Sequence, residues 1–210
     1  RCNLRCAYCM PEQEYVWLPK DDLLTFDEIG SLVDVFLDLG VDKVRLTGGE
    51  PLLRKGLPEL IARLAAKPRI KDLAITTNGV LLADQAAALK AAGLHRVTVS
   101  LDTLDAATFE KLTRRNALAQ VLAGIEAARA AEFTGTKLDA VVLRDTNDYE
   151  ICDLLAYARG AGAGEQSGDA LLRGLVVGFR LVERRLADEV LRAQLFGALA
   201  RNGFQTTKPN

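Results

Sequence analysis

From residue 25 onward, apolar residues recur with two alternating periods. Ile29, Leu32, Val33, Phe36 and Leu37 share one helical stripe, preceded by a Thr25-x-x-Glu28 capping box and followed by Gly40, which suits a left-handed helix stop. The period then shortens to two over residues 41–47, which predicts a strand. Helical patterns return at about residues 57–66, 84–92, 118–131 and 148–159, and strand patterns lie between them at 72–77, 96–102 and 137–143. Strands that alternate with helices predict an α/β fold built on a parallel sheet.

The strands also alternate internally. A parallel sheet covered by helices on both faces normally reads as continuous apolar runs. Here Val44 and Leu46 are interleaved with Lys43, Arg45 and Thr47; Leu73 and Ile75 with Ala74, Thr76 and Asn78. Val97, Val99 and Leu101 are interleaved with Thr98, Ser100 and Asp102, and Leu138, Ala140 and Val142 with Lys137 and Asp139. If the apolar set meets the helices, the polar set lines the other face. In a partial barrel that face is a wet cavity suited to a large anionic ligand; in an open sheet it is simply solvated. Beyond residue 159 the pattern breaks at Gly160, Gly162, Gly164 and Gly168, which suits a flexible connection. A strand at 175–182 and an amphipathic helix at 184–201 are expected after it. The organisation is therefore a core over residues 1–159 and a glycine-rich connection with an α/β tail over 160–210.

The chain has 210 residues, 49% of them hydrophobic, with 27 Lys and Arg against 28 Asp and Glu. That length and composition support a buried core and exclude intrinsic disorder. The net charge of −1 argues against a dedicated nucleic-acid binder, and no apolar run is long enough to span a membrane. The first residue is Arg1, directly ahead of a cysteine cluster, so an upstream segment is expected.

Cys2, Cys6 and Cys9 crowd the start of the chain, while Cys152 stands alone beside the apolar stripe of Ile151, Leu154 and Leu155, where a buried thiol is expected. Three adjacent thiols suggest metal chemistry in a reducing compartment, with the cytoplasm as the expected address. A closed zinc site needs four N or S ligands, and His95, the only histidine, has no companion. His95 and Trp17 read as packing or surface residues. A redox C-x-x-C leaves Cys2 unexplained. Three thiolates in C-x3-C-x2-C suit an iron–sulfur cluster with one iron left open, since cluster iron is ordinarily held by four cysteines. Zinc or a fortuitous cluster remains the alternative.

That spacing resembles the signature of the radical S-adenosylmethionine superfamily, and Gly48-Gly49-Glu50-Pro51, directly after a strand, resembles its second mark. The resemblance implies a partial (βα)6-type barrel, a [4Fe–4S] cluster and S-adenosylmethionine, whose reductive cleavage yields a 5′-deoxyadenosyl radical. Paired glycines also allow backbone to approach a ligand closely. Cys2–Pro11, KVRLTGGEPLLR at 43–54, TTNGV at 76–80, VSLD at 99–102 and KLDAVV at 137–142 resemble the GTP 3′,8-cyclase (MoaA) family of molybdenum-cofactor biosynthesis. This likeness runs to about residue 159, and the chain reads as a truncated or divergent relative beyond it. It implies Cys2, Cys6 and Cys9 as cluster ligands, and Tyr8, Gly49 and Ser100 as contacts to S-adenosylmethionine. Arg45, Thr76 and Lys137 are implied to hold GTP, with Lys43 a weaker candidate. It also implies an external one-electron donor and a lyase that abstracts hydrogen from GTP ribose. The family's second cluster uses cysteines in its C-terminal region, and residues 160–210 contain none. A peptide-modifying radical enzyme and a non-catalytic metal-binding module remain alternatives.

Overall fold

The computed structural model describes residues 1–12, 14–160 and 176–181. Five strands form one sheet: β1 (Lys43–Leu46), β2 (Asp72–Thr77), β3 (Arg96–Ser100), β4 (Lys137–Val142) and β5 (Val176–Leu181). All neighbours are parallel and the spatial order follows the chain order. A doubly wound sheet would reverse its order at a switch point; an unreversed parallel order is that of a partial barrel. β1 and β5 each have one partner, so the sheet does not close among the described residues. The expected partial α/β barrel is what forms.

β5 carries the sheet beyond the core expected over residues 1–159. Val176–Leu181 pairs with β4 over its whole length, Lys137 opposite Val176 and Val142 opposite Leu181. The expected strand at 175–182 is thus the next strand of the barrel. The connection at 161–175 and the expected helix at 184–201 lie outside the described residues.

Helix α1 (Phe26–Asp38) starts on the capping box: the Thr25 hydroxyl accepts from Glu28 N–H, and the Glu28 carboxylate accepts from Thr25 N–H. It ends in a Schellman turn, with Gly40 N–H bonded to Leu37 O, Val41 N–H to Phe36 O, and Gly40 at φ +90°. Its apolar stripe is broader than the surface it covers. Leu37 is buried and Ile29 and Val33 pack on the core, whereas Leu32 and Phe36 are about half exposed, with Val35 and Leu39 beside them. The reason lies in β1, an edge strand that presents one flank only. Ion pairs complete the docking of α1 on α2 (Leu57–Ala65) and its following turn: Asp27 with Arg63, Asp34 with Lys67, and Asp38 with Arg69.

α3 (Leu82–Ala91) and α5 (Leu118–Ala130) pack on each other and on the sheet through Leu82, Leu89, Val121 and Ile125. Between them lies α4 (Ala106–Thr113), which the apolar pattern does not announce because it spans two turns. Asp105 caps it by accepting from Thr108 N–H at 2.7 Å. α6 (Ile151–Gly160) follows a single 3-10 turn at Asp148–Glu150. Cys152 is exposed on α6, contrary to the expected burial, because Ile151, Leu154, Leu155 and Ala158 occupy the inward face and Cys152 falls off that stripe. His95 lies at the surface, its Nδ1 accepting from Leu73 N–H at 3.1 Å, and Trp17 stacks on Tyr15 with Arg5 over its ring.

The internal alternation has the expected consequence. Leu73, Ile75, Val97, Val99, Leu101 and Leu138 are buried under the helices. Arg45, Thr76, Ser100, Lys137 and Asp139 retain exposure on the opposite face. Ala74 and Thr98 on the strands, and Asp102 just past β3, are buried exceptions on that face.

Candidate functional site

The cysteine loop lies over the C-terminal ends of the strands and is stitched there by bonds from three directions. From the turn after β1, Glu50 N–H donates to Arg1 O at 2.8 Å. Gly49 makes this approach possible: a Cβ there would stand 2.1 Å from Arg1 O. From the turn after β2, the Asn78 side-chain amide donates to Asn3 Oδ1 at 2.7 Å and to Cys2 Sγ at 3.8 Å. From the segment after β3, Asp102 accepts a hydrogen bond from Tyr8 Oη. The unannounced helix α4 completes the seat, its last carbonyls accepting from the loop: Arg5 N–H to Thr113 O and Ala7 N–H to Leu112 O, both at 2.9 Å. Within the loop, Arg5 Nη1 donates to Cys2 O, and Cys9 and Met10 N–H both donate to Cys6 O.

Two buried carboxylates support this seat. Glu50 is turned inward, where its carboxylate accepts from Thr77 Oγ1 at 2.7 Å, Asn78 N–H at 2.8 Å and Leu52 N–H at 3.0 Å. Burial raises its pKa above the ordinary glutamate value, and those three bonds oppose the rise. The backbone of Gly48 and Gly49, rather than the Glu50 carboxylate, is therefore what the motif presents outward. Asp102 is raised likewise by burial, opposed by Tyr8 and by Val141 N–H, which donates to it at 2.8 Å. Asn147 ties the same corner by donating to Asp102 O and Val141 O. Tyr8 is held far above the usual phenol range, first by burial and then by the Asp102 carboxylate.

Cys2, Cys6 and Cys9 are all free thiols. Burial, then Asp102, then the neighbouring Cys2 and Cys9 push Cys6 up to about 11 in the metal-free protein. The three do not form a closed ligand set; among the described residues no three His, Cys, Asp or Glu side chains are grouped tightly enough to hold an ion. The donor chemistry nevertheless fits a cluster. Three soft sulfur ligands share one short loop, Cys2 and Cys9 stand close enough to Cys6 to raise the cost of charging it, and a backbone cradle at Gly49 adjoins them.

On the polar face, Arg45 Nη1 donates to Thr76 Oγ1 at 3.0 Å and to Thr98 Oγ1 at 3.1 Å. Lys137 stands opposite Thr98 in the β3–β4 register and Ser100 opposite Asp139. Arg45, Thr76 and Lys137 thus belong to one neighbourhood, while Lys43 stands apart at the opposite end of β1, where its charge faces the Asp72–Arg96 pair. Tyr8, Gly49 and Ser100 all lie on the rim or loop side, Gly49 against Arg1 and Tyr8 bonded two residues beyond Ser100. Thr98, Asn78, Glu50, Asp102 and Asn147 complete the arrangement and were not singled out by sequence. The signal for Thr98, Asn78 and Asp102 was their place in the alternation.

An open parallel βα barrel with a three-cysteine loop seated on its C-terminal rim places its candidate chemistry at the strand ends, as barrel enzymes do. A family model described as the radical SAM superfamily matches residues 1–158, and the chain belongs to that superfamily. Membership implies S-adenosylmethionine and an iron–sulfur cluster as cofactors.

Its sequence is similar to GTP 3′,8-cyclase 1 of Mycobacterium tuberculosis strain H37Rv, 55% identical over 167 residues, covering 78% of this chain and 46% of that protein. It is also similar to GTP 3′,8-cyclase 2 of Pseudomonas aeruginosa strain PAO1, 51% identical over 158 residues, covering 75% and 47%. The chain therefore spans about half the length of these relatives. Among solved structures, Streptococcus suis SuiB bound to S-adenosylmethionine shares the fold with a TM-score of 0.71 at 17% identity, covering 99% of this chain and 48% of that one. The [FeFe]-hydrogenase maturase HydG shares it with a TM-score of 0.65 at 15% identity, covering 85% and 40%. Among the described residues, no helix is long and apolar enough to cross a membrane.

Proposed function

We propose that this chain is the cofactor-binding core of a cytoplasmic radical SAM lyase of the GTP 3′,8-cyclase type. Residues 1–159 together with strand β5 form the working half-barrel, and the rest of 160–210 supplies the connection and tail. Cys2, Cys6 and Cys9 hold a [4Fe–4S] cluster, and Tyr8, Gly49 and Ser100 contact S-adenosylmethionine. When bound, the two cofactors and an external one-electron donor supply reductive sulfonium cleavage, and with it hydrogen abstraction from GTP ribose. The protein contributes binding and alignment. The Gly48–Gly49 backbone lies close to the cysteine loop and offers peptide groups to the methionine end of the cofactor. Arg45, braced by two hydroxyls, offers its remaining donors to a phosphate in a fixed direction, and Lys137 adds a second cation.

The observation that carries the reading is a polar ladder on two neighbouring strands. On β2, Thr76 holds Arg45, and Asn78, just past the strand's end, holds the cysteine loop. On β3, Thr98 holds Arg45, and Asp102, two residues past the strand's end, holds Tyr8 of the same loop. Side chains two apart along a strand share a face and lie about 7 Å apart. A nucleotide on Arg45 would therefore reach toward the loop along one surface. Retention of Arg45, Thr76 and Lys137 favours a nucleotide over a peptide substrate.

Replacing Arg45 with Ala is expected to weaken GTP binding about tenfold or more, about 1.4 kcal/mol, while leaving cleavage of S-adenosylmethionine intact. Equal GTP affinity in the two proteins refutes the nucleotide assignment. Cysteine ligation is checked by anaerobic reconstitution, which should load about four iron and four sulfide per chain; stoichiometric zinc without sulfide refutes it.

A further inference from the structure

The Asn78 side chain does something that neither ligation nor nucleotide binding requires. Its orientation is determined by its partners: Val80 N–H donates to Oδ1 at 3.1 Å, so that atom is the carbonyl and the other is the amide nitrogen. The two amide hydrogens are then divided between Asn3 Oδ1 at 2.7 Å and Cys2 Sγ at 3.8 Å. The residue is held from behind as well, since its backbone N–H donates to the buried Glu50 carboxylate at 2.8 Å. Three other bonds thus hold this residue with its amide at the sulfur of one thiol. Among the described residues, no other side-chain amide donates to a cysteine sulfur.

We infer that Asn78 is a positioning residue for the cluster, donating an N–H···S hydrogen bond to the Cys2 thiolate and raising the cluster's reduction potential. The inference rests on the three cysteines holding an iron–sulfur cluster. Hydrogen bonds to cluster sulfurs are among the determinants of potential, and outer partners orient the ligands they touch. An added electron places more negative charge on sulfur, and a fixed N–H donor favours that state over the oxidised one. Asn3, beside Cys2 in the chain, shares the same amide, so the bond also sets where Cys2 stands relative to the strand ends. Asn78 thereby links the turn after β2 to the ease of electron entry, independently of the number of ligands.

The test compares wild type with Asn78→Leu, which removes the donor without adding charge and therefore decides the question, and with Asn78→Asp, which keeps the shape but adds a negative charge that lowers the midpoint further. Each is reconstituted anaerobically and its midpoint potential measured by an electron paramagnetic resonance redox titration. The expected result is full iron and sulfide content with a more negative midpoint. The one-electron equilibrium constant should fall by up to about tenfold, equivalent to about 59 mV. An unchanged or more positive midpoint in a loaded variant overturns the inference. Failure of wild type to load iron and sulfide instead overturns the underlying cluster reading, so the two failures are distinguishable. Should neither variant fold, the Asn3→Asp protein, which retains the oxygen that Asn78 donates to, is grown with side-chain 15N-asparagine and reduced. A 15N hyperfine coupling to the cluster supports the bond, and its absence overturns it.

Discussion

Removal of the Glu50 carboxylate tests whether the Gly-Gly-Glu-Pro motif acts as a buried brace as well as a ligand-facing turn. Glu50 is only 4% exposed and accepts from Thr77 Oγ1, Asn78 N–H and Leu52 N–H. In Glu50→Ala those three donors lose their partner, at a net cost of about 1 kcal/mol each. Relief of the buried carboxylate's desolvation offsets part of this, leaving a net loss of about 2–3 kcal/mol. For a chain of this size, a loss of that order lowers Tm by about 4–12 °C. Glu50→Gln retains an oxygen for Thr77 and Leu52 but turns an amide toward the Asn78 N–H, donor against donor; a smaller loss of about 1–2 kcal/mol is expected.

Thermal unfolding of the metal-free protein by circular dichroism reads both variants. The pH dependence gives a second check. Because burial raises the folded-state pKa of Glu50 above its ordinary value of 4.5, its contribution to stability is fully present below that value. The contribution is lost as pH rises through the raised value. The Gln variant has no such titration, so the wild type should lose ground to it across that interval. An Ala variant that melts within about 2 °C of wild type, less than 1 kcal/mol by the same conversion, refutes the brace.

Gly49→Ala places a Cβ 2.1 Å from Arg1 O, which must displace the start of the cysteine loop; overpacking of this kind costs about 1–3 kcal/mol. The fold should survive while S-adenosylmethionine affinity falls about tenfold or more by calorimetry, about 1.4 kcal/mol; unaltered affinity contradicts the close-approach argument. Asp102→Ala removes the acceptor for Tyr8 Oη and for Val141 N–H. Amide exchange over residues 5–10 should accelerate, and unchanged protection there means that Tyr8 does not anchor the loop. Asp72 is held below the ordinary aspartate value chiefly by its hydrogen bond to Arg96. Its contribution is present above 3.8 and lost as pH falls through the lowered value. Asp72→Asn should therefore melt lower than wild type at neutral pH, with the deficit closing in acid; a deficit that persists in acid removes the ion pair as its cause.

Local chemistry explains why so much of the half-barrel is readable from sequence. The Thr25–Glu28 box and the Gly40 stop are decided within a few residues, and the strand alternation is a property of single strands. β5 follows the same rule once its pairing with β4 is known, but the glycine-rich stretch before it disguises the βα rhythm. Helix α4 escapes because Phe109 and Leu112 make only one i, i+3 pair, too short a run for periodicity to register, although the Asp105 cap is visible in hindsight. The α1 stripe is read too broadly for the opposite reason. Leu32 and Phe36 satisfy the helical period, yet whether an apolar position is buried depends on what the neighbouring strand offers, and β1 offers one flank.

The site divides along the same line. Alternation assigns Arg45, Thr76, Thr98, Ser100, Lys137 and Asp102 to one face, because a two-residue period is enough to do so. It cannot say which members of that face meet. Arg45 bonds Thr76 and Thr98 because neighbouring parallel strands bring Thr76 opposite Thr98 in register, and register is a pairwise property of strands distant in sequence. The Asn78 contact with Cys2 spans 76 positions and depends further on the turn after β2 and on the Glu50 carboxylate beneath it. A polar residue at the end of a barrel strand therefore needs its cross-strand partner before it can be given a role. At Asn78 that partner is the Cys2 sulfur, which the sequence places at the far end of the chain's first cysteine loop and only the folded turn brings within reach.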